Sequence, residues 1–262
     1  MKMVSLRARV FMGLTIGAVL GGCVSDATLN DVYQQYQRGQ YQRAFDQAKT
    51  LLRAAGSPDR QNPERDRAAY MAGLAAYRLD RFATAKRYLD LAQASNDSRI
   101  AGDALATLGL LHSTQRSYDA AAQALLEAAK RLEGEQRAQS YYYAAIAYQK
   151  LGRWPAARLY LARSKNQSRD PDWRRKIEQA NATFAWTIQT GAFRERPGAA
   201  READRVNRIT GRAARLVRAI DQDGSVWYLV QFGEFDSYAE ALGQRDQLGL
   251  RMAKPAPLAK QP

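Results

Sequence analysis

Two stretches near the C-terminus are most informative about the structure of that region: WTIQTGAF at residues 186–193 and WYLVQFGEF at residues 227–235. In each stretch apolar and polar residues alternate over several positions, and each ends in Gly-x-Phe. A period of two is typical of a half-buried β-strand. Both stretches are therefore predicted to be strands that run into a turn at a glycine.

The residues around these strands complete a small α+β domain at 184–254. An Asp223-Gly224 turn precedes the second quoted strand, and Ser237 is placed to cap a helix. The remaining predicted elements are a helix at 199–209, a strand at 214–220, a helix from 237 to 248 and a short last strand at 250–253. The order βαββαβ predicts one antiparallel sheet with two helices on one face.

This order, with both Gly-x-Phe marks at the expected separation, resembles the SPOR domain (sporulation-related repeat), a module that binds peptidoglycan. The resemblance implies that glycan strands stripped of their stem peptides lie on the open face of the sheet. It places Gln189 and Trp227 at the glycan. Strand alternation adds Thr187 to the side of Gln189, and Leu229 and Gln231 to the side of Trp227.

Two positions depart from the family pattern. Ala192 stands where the family has a Ser, and Leu229 stands where many members have a glycan-binding Arg. Either Arg215 or Arg218, on the adjacent strand, is a candidate to supply the missing charge. The alternative is a SPOR-like domain that no longer binds glycan.

Residues 23–165 repeat. An aromatic residue followed three positions later by Ala occurs four times, with spacings of 41, 36 and 36 residues, at Tyr41/Ala44, Phe82/Ala85, Tyr118/Ala121 and Trp154/Ala157. Apolar residues continue at helical spacing after each Ala, and small residues precede the aromatics, as at Gly73 and Gly109. The pattern predicts about four helical hairpins in an all-α array.

The array resembles tetratricopeptide (TPR) repeats, and the alternatives are a Sel1-type repeat or a plain bundle. Stacked hairpins of this kind form a concave surface, and the resemblance implies a protein partner there. Tyr142 is predicted to be exposed to such a partner, whereas Tyr141 and Tyr148 match packing positions. His112, the only histidine, also falls on a packing position. Residues 166–183 are predicted to be a basic linker or a capping helix, and 255–262 a tail.

The N-terminus has the features of a bacterial lipoprotein signal. Three positive charges (Lys2, Arg7 and Arg9) precede an apolar run at 10–20, which is too short for a membrane-spanning helix of about 20 residues. The run ends in Leu-Gly-Gly-Cys23, which resembles a lipobox. The resemblance implies that residues 1–22 are removed and Cys23 is lipidated. Val24 favours the outer membrane, with the protein facing the periplasm.

Composition excludes several classes of function. The 262 residues include one Cys and one His, so neither an intrachain disulfide nor a Cys/His zinc cluster can form. No metal or cofactor is predicted. The formal net charge is +14, but export makes an anionic wall polymer or lipid headgroups more plausible partners than nucleic acid.

The predicted function is that of a non-enzymatic cell-envelope lipoprotein in cell division or wall remodelling. It would bind peptidoglycan through the SPOR domain and a protein through the repeats. Two alternatives remain: a protein scaffold for outer-membrane or secretion assembly, and a wall hydrolase, which would need a pair of carboxylates across the scissile bond.

Overall fold

The computed structural model describes residues 28–56, 62–221 and 223–259. The predicted signal peptide and Cys23 lie outside these residues. The chain divides into two compact units. One contains the residues up to 144 together with 163–169, and the other contains 145–162 together with the residues from 170 onward.

The repeat region is an array of antiparallel helix pairs, as the sequence predicts. Its helices are α1 (Leu29–Gln37), α2 (Tyr41–Ala54), α3 (Pro63–Arg78), α4 (Phe82–Gln93), α5 (Ser98–Thr114), α6 (Tyr118–Arg131), α7 (Gly134–Lys150) and α8 (Trp154–Gln167). Each recurring aromatic is the first residue of the second helix of a pair. The Ala three residues later is buried in all four pairs.

Small residues on the first helix of a pair allow the second helix to approach closely. A Cβ added at Gly73 would lie 2.7 Å from Cγ of Leu89, and one at Gly109 would lie 2.4 Å from Cγ of Leu125. Both leucines are fully buried. The glycines are therefore packing residues, because any larger side chain would push the two helices apart.

Every pair is joined by a turn with one residue in the left-handed region. These residues are Gly39, Asp80, Arg116 and Gly152, with φ between 58° and 75°. In each turn the residue after the left-handed one donates its N–H to a carbonyl five positions back, as Arg153 does to Tyr148. This is the Schellman closure of a helix C-terminus. Glycine marks only two of the four turns, so the sequence shows the motif incompletely.

The segment at 166–183 contains a helix, α9 (Pro171–Asn181). Asp170 caps it: its carboxylate accepts from the backbone N–H groups of Asp172 and Trp173 at 2.8 and 3.3 Å. Trp173 and Ile177 are buried along one side of α9. This helix belongs to the same unit as the sheet domain that follows it.

The C-terminal domain is a four-stranded antiparallel sheet with two helices. Its elements are β1 (Thr183–Phe193), α10 (Arg196–Thr210), β2 (Arg215–Ile220), β3 (Val226–Phe235), α11 (Tyr238–Gln247) and β4 (Lys254–Ala259), and the strand order is β2-β3-β1-β4. Ile188 and Phe232 pack with Val206 of α10 and Ala241 of α11 in one core. Both helices therefore cover the same face of the sheet, as predicted.

The last strand lies later than predicted. Residues 250–253 precede it, and β4 occupies part of the segment expected to be a tail. Pro255 and Pro257 argued against a strand there. β4 is an edge strand, however, and both prolines pair in register with β1, opposite Ile188 and Trp186. An edge position accommodates proline because alternate N–H groups point away from the sheet.

The turn between α7 and α8 packs against the sheet domain within the same unit. The indole N–H of Trp186 donates to the carbonyl of Gln149 at 2.8 Å, and that of Trp154 donates to the carbonyl of Asp236 at 3.1 Å. The ammonium of Lys150 lies against both rings of the edge-to-face pair Trp186 and Tyr238, 3.8 and 3.9 Å from their centroids. These contacts join residues that are distant in the chain, and the sequence pattern does not predict them.

Candidate binding surface

A row of polar side chains crosses the face of the sheet opposite the two helices. Arg215 of β2 pairs with Gln231 of β3, Gln231 pairs with Gln189 of β1, and Gln189 pairs with Lys254 of β4. Directly paired residues of antiparallel strands project to the same side. Two amides therefore lie in the middle of the row, and a cation lies at each end.

The next rows on this face are apolar. Leu229 pairs with Val217 on one side and Ala192 on the other, and Trp227 pairs with Ala219. Leu229, Ala192 and Trp227 are all half-buried. The surface thus has a polar strip beside an apolar strip that ends in an indole ring, which is a suitable arrangement for a sugar ring with polar edges and an apolar face.

Arg194, which follows β1, lies over the Trp227 ring with its guanidinium carbon 3.9 Å from the ring centroid. This is a cation–π contact. One side of the indole is therefore occupied by Arg194, and a sugar stacking on Trp227 would use the other side or displace the guanidinium. The sequence pattern does not single out Arg194, although it comes directly after the first Gly-x-Phe.

The predicted site residues differ in how accessible they are. Gln189, Ala192, Trp227 and Leu229 are half-buried, and Gln231 has 7% of its surface exposed. Thr187 is fully buried. It is therefore not a surface contact, contrary to our expectation.

The hydroxyl of Thr187 is used inside the sheet. It lies 3.0 Å from the carbonyl oxygen of Phe232 and 2.8 Å from that of Gly233, and it donates to this pair. Strand alternation correctly placed Thr187 on the side of Gln189. It did not indicate burial, because the neighbouring β4, where Ala256 pairs with Thr187, was not expected at this position.

The two Gly-x-Phe marks have a common packing role. A Cβ at Gly191 would lie 2.4 Å from the ring of Phe193, and one at Gly233 would lie 2.6 Å from the ring of Phe235. In both cases the aromatic ring two residues later covers the glycine. Gly233 also has φ of +74°. Each glycine sits at or next to a shift in the β1–β3 register, and these irregularities fix which residues share the open face.

Within the described residues, no carboxylate neutralises the cations at the ends of the polar row. Arg215 donates one N–H to the carbonyl of Gly233 at 3.3 Å. Among the described residues, neither Arg215 nor Lys254 forms a salt bridge with a carboxylate. Glu234, exposed further along β3, pairs with neither. Arg218 pairs with Tyr228 and so projects to the helix side, which leaves Arg215 as the adjacent-strand arginine on this face.

In the repeat array, several tyrosines lie on the first helices of the pairs. The hydroxyls of Tyr77 and Thr114 are 3.2 Å apart, and the rings of Tyr142 and Tyr143 pack edge to face at 5.3 Å. Burial raises the pKa of Tyr143 to about 12. Tyr142 is half-buried rather than exposed, so it offers a partner only part of its ring.

The other residues of the array that were predicted to pack are Tyr141, Tyr148 and His112. Tyr148 stacks on Tyr160 with ring centroids 5.6 Å apart, and the guanidinium of Arg163 lies over Tyr141 at 6.0 Å. His112 is in the last turn of α5 and half-buried, and its pKa is lowered chiefly by burial.

The described residues hold neither a cluster of metal ligands nor a helix suited to crossing a membrane. No group of three or more His, Cys, Asp or Glu side chains is placed to hold a metal ion in this part of the chain. None of the helices described is both long and apolar enough to cross a membrane.

Comparison with known proteins identifies the C-terminal domain. Residues 182–261 match the model of the SPOR domain. Among solved structures, the chain is similar to one described as MamA AMB-1, P212121, with 17% identity, coverage of 58% of this chain and 82% of that chain, and a TM-score of 0.44. No curated protein shows significant similarity to the chain.

Proposed function

Because residues 182–261 form a SPOR domain, which implies peptidoglycan binding, we propose that this chain is a non-enzymatic envelope adaptor. Its sheet domain binds glycan strands that have lost their stem peptides, and its TPR-like array binds a protein partner. The observation that carries the proposal is the open face of the sheet, where Gln189 and Gln231 lie side by side and Trp227 lies two rows away.

The chemistry of this face suits a glycan. An amide both donates and accepts, so the glutamines match sugar hydroxyls and N-acetyl groups in either sense. The indole of Trp227 and the apolar row through Leu229 match the apolar faces of the sugar rings. Neither requirement involves an acid–base pair, and SPOR and TPR-like modules are typically non-catalytic.

The envelope setting rests on the N-terminal residues. A lipid on Cys23 would hold the protein in the outer membrane, facing the periplasm, because several buried acyl chains give stable anchoring. A protein anchored in this way and bound to stripped glycan would be positioned where the wall is being remodelled, as in cell division. Its repeat array would bring a protein partner to that place.

The test is co-sedimentation of the protein lacking residues 1–23 with purified peptidoglycan, untreated or stripped of stem peptides by an amidase. We expect more protein in the pellet with stripped wall. We expect Gln189→Ala and Trp227→Ala to reduce pelleting, the latter about two- to tenfold in affinity for the loss of one stacking contact. Gln247→Ala is the matched control, because Gln247 is exposed at the end of α11 on the helix side.

Pelleting that is weak, indifferent to stripping and abolished by salt would overturn the proposal, because it would show only a basic protein on an anionic polymer. The same result would favour the second candidate, a protein–protein scaffold. The observation that favours that candidate is the apolar row through Ala192 and Leu229, which occupies positions where the family has polar contacts.

A further inference from the structure

The polar row has a charge pattern that a neutral sugar does not require. Arg215 and Lys254 are exposed, lie on the two edge strands, and are separated by three interstrand steps, or about 14 Å. The amides of Gln231 and Gln189 lie between them. A ligand that fills this row therefore meets a cation at each end.

The cations retain donors for a ligand. Arg215 uses one N–H on the carbonyl of Gly233, and a guanidinium has five. Lys254 and Arg215 are free of salt bridges within the described part of the chain. Charge-assisted bonds to a carboxylate are about twice as strong as neutral ones, so an anionic group on the ligand would decide the affinity at the ends of the row.

Stem-peptide removal creates such a group. In intact wall, the lactyl group of each muramic acid is joined to the stem peptide through an amide. Hydrolysis of that amide leaves a free carboxylate on the sugar, so that the stripped strand carries one negative charge on each muramic acid. The strand thus gains an anion at the position where it loses a peptide.

We propose that Arg215 and Lys254 bind the free lactyl carboxylates of stripped glycan, and that this contact distinguishes stripped strands from peptide-bearing ones. The inference rests on the proposed glycan binding and adds the reason why the domain would prefer stripped strands. On this proposal the domain recognises the carboxylate that peptide removal exposes, in addition to any steric exclusion of the stem peptide.

The experiment compares two forms of one ligand. Soluble glycan strands released from amidase-treated wall are used as they are, or after their carboxylates are coupled to methylamine with a carbodiimide, which makes them neutral amides of nearly the same size. Binding to the protein lacking residues 1–23 is measured by calorimetry. The quantity of interest is the ratio of the two dissociation constants.

We expect the neutral strands to bind wild type about tenfold or more weakly, the effect of losing at least one charge-assisted contact. Arg215→Gln and Lys254→Gln should bind unmodified strands more weakly and should each reduce the ratio. Arg218→Gln is the matched control, since it removes the same charge from the same strand on the opposite side. Its ratio should equal that of wild type.

Three outcomes would count against the reasoning, and they are distinguishable. If unmodified strands do not bind wild type at all, the proposed glycan binding itself is wrong. If both forms bind equally well, glycan binding stands and carboxylate recognition is wrong. If Arg218→Gln lowers the ratio as much as Arg215→Gln, the effect is one of net charge and not of this row.

Discussion

Replacing Lys150 by Met should destabilise the unit that contains the SPOR domain. The ammonium of Lys150 lies 3.8 Å from the ring centroid of Trp186 and 3.9 Å from that of Tyr238. A cation–π contact contributes about 0.5–1 kcal/mol at an exposed site and about 2 when desolvated. Lys150 is half-buried, so the two contacts together should contribute about 1–2 kcal/mol. Methionine keeps the apolar stem, and the substitution therefore isolates the charge.

The assay is thermal unfolding followed by tryptophan fluorescence. All four tryptophans (Trp154, Trp173, Trp186 and Trp227) belong to the unit that contains the sheet, so the signal reports on that unit alone. A loss of 1–2 kcal/mol in a unit of this size should lower the thermal midpoint by about 4–10 °C. Lys150→Arg, which keeps a cation that can stack, should recover most of the loss.

Lys176→Met is the matched control for this prediction. The Lys176 ammonium lies over a single ring, that of Trp173, at 4.9 Å, and the residue is exposed. Its loss should cost no more than about 0.5–1 kcal/mol. If Lys150→Met is no more destabilising than Lys176→Met, the arrangement around Lys150 does not contribute as argued.

Three further predictions concern residues whose roles the structure defines. Burial raises the pKa of Asp103 to about 7, with a smaller opposing effect from Arg99. The folded carboxyl therefore binds its proton more tightly than the unfolded one. As a result, the free energy of unfolding should fall as pH rises from about 4 to 8, by up to about 4 kcal/mol. Asp103→Asn should therefore raise the thermal midpoint at pH 8 and not at pH 4, and an equal effect at both would contradict this. Gly152→Ala should cost about 1–3 kcal/mol, because φ is +73° and the new Cβ would lie 2.7 Å from the carbonyl oxygen of Asp236; Gly211→Ala, with φ of +66° and open space around it, should cost less in the same melt. Thr187→Val should lower the free energy of unfolding by about 1–2 kcal/mol through the lost buried hydrogen bonds and should leave the affinity for stripped glycan unchanged. A loss of affinity at normal stability would instead show that Thr187 contacts the glycan.

Local pattern was sufficient to predict much of this fold. The repeat pattern predicts the aromatic at the start of each second helix and the buried Ala three residues later, because both follow from helical spacing and burial within one hairpin. The Gly-x-Phe marks were also informative. The ring of Phe193 covers Gly191 two residues away, so the packing constraint is contained within three residues of sequence.

The features that were missed depend on distant parts of the chain. The strand at β4 was hidden by Pro255 and Pro257, since their tolerance depends on β4 being an edge strand. The burial of Thr187 and the placing of Lys254 at the end of the polar row both follow from that strand. Asp80 and Arg116 adopt positive φ although neither is a glycine, because the closure of the hairpin turn imposes it.

The loss of the family's Arg at Leu229 does not by itself argue against recognition of an anion. Leu229 is on β3, in the row next to that of Gln231. Arg215 is on the adjacent strand in the adjacent row, a diagonal neighbour about 7–8 Å away between Cα atoms, and an arginine side chain can span that distance. The face therefore keeps a guanidinium near the same point, and Lys254 adds a second cation beyond Gln189. Charge at the ends of the row does not compete with the amides for the sugar, whereas charge in the middle would. Selection for stripped strands should therefore depend on where the cation lies on the sheet face, and not on whether an arginine occupies one particular sequence position.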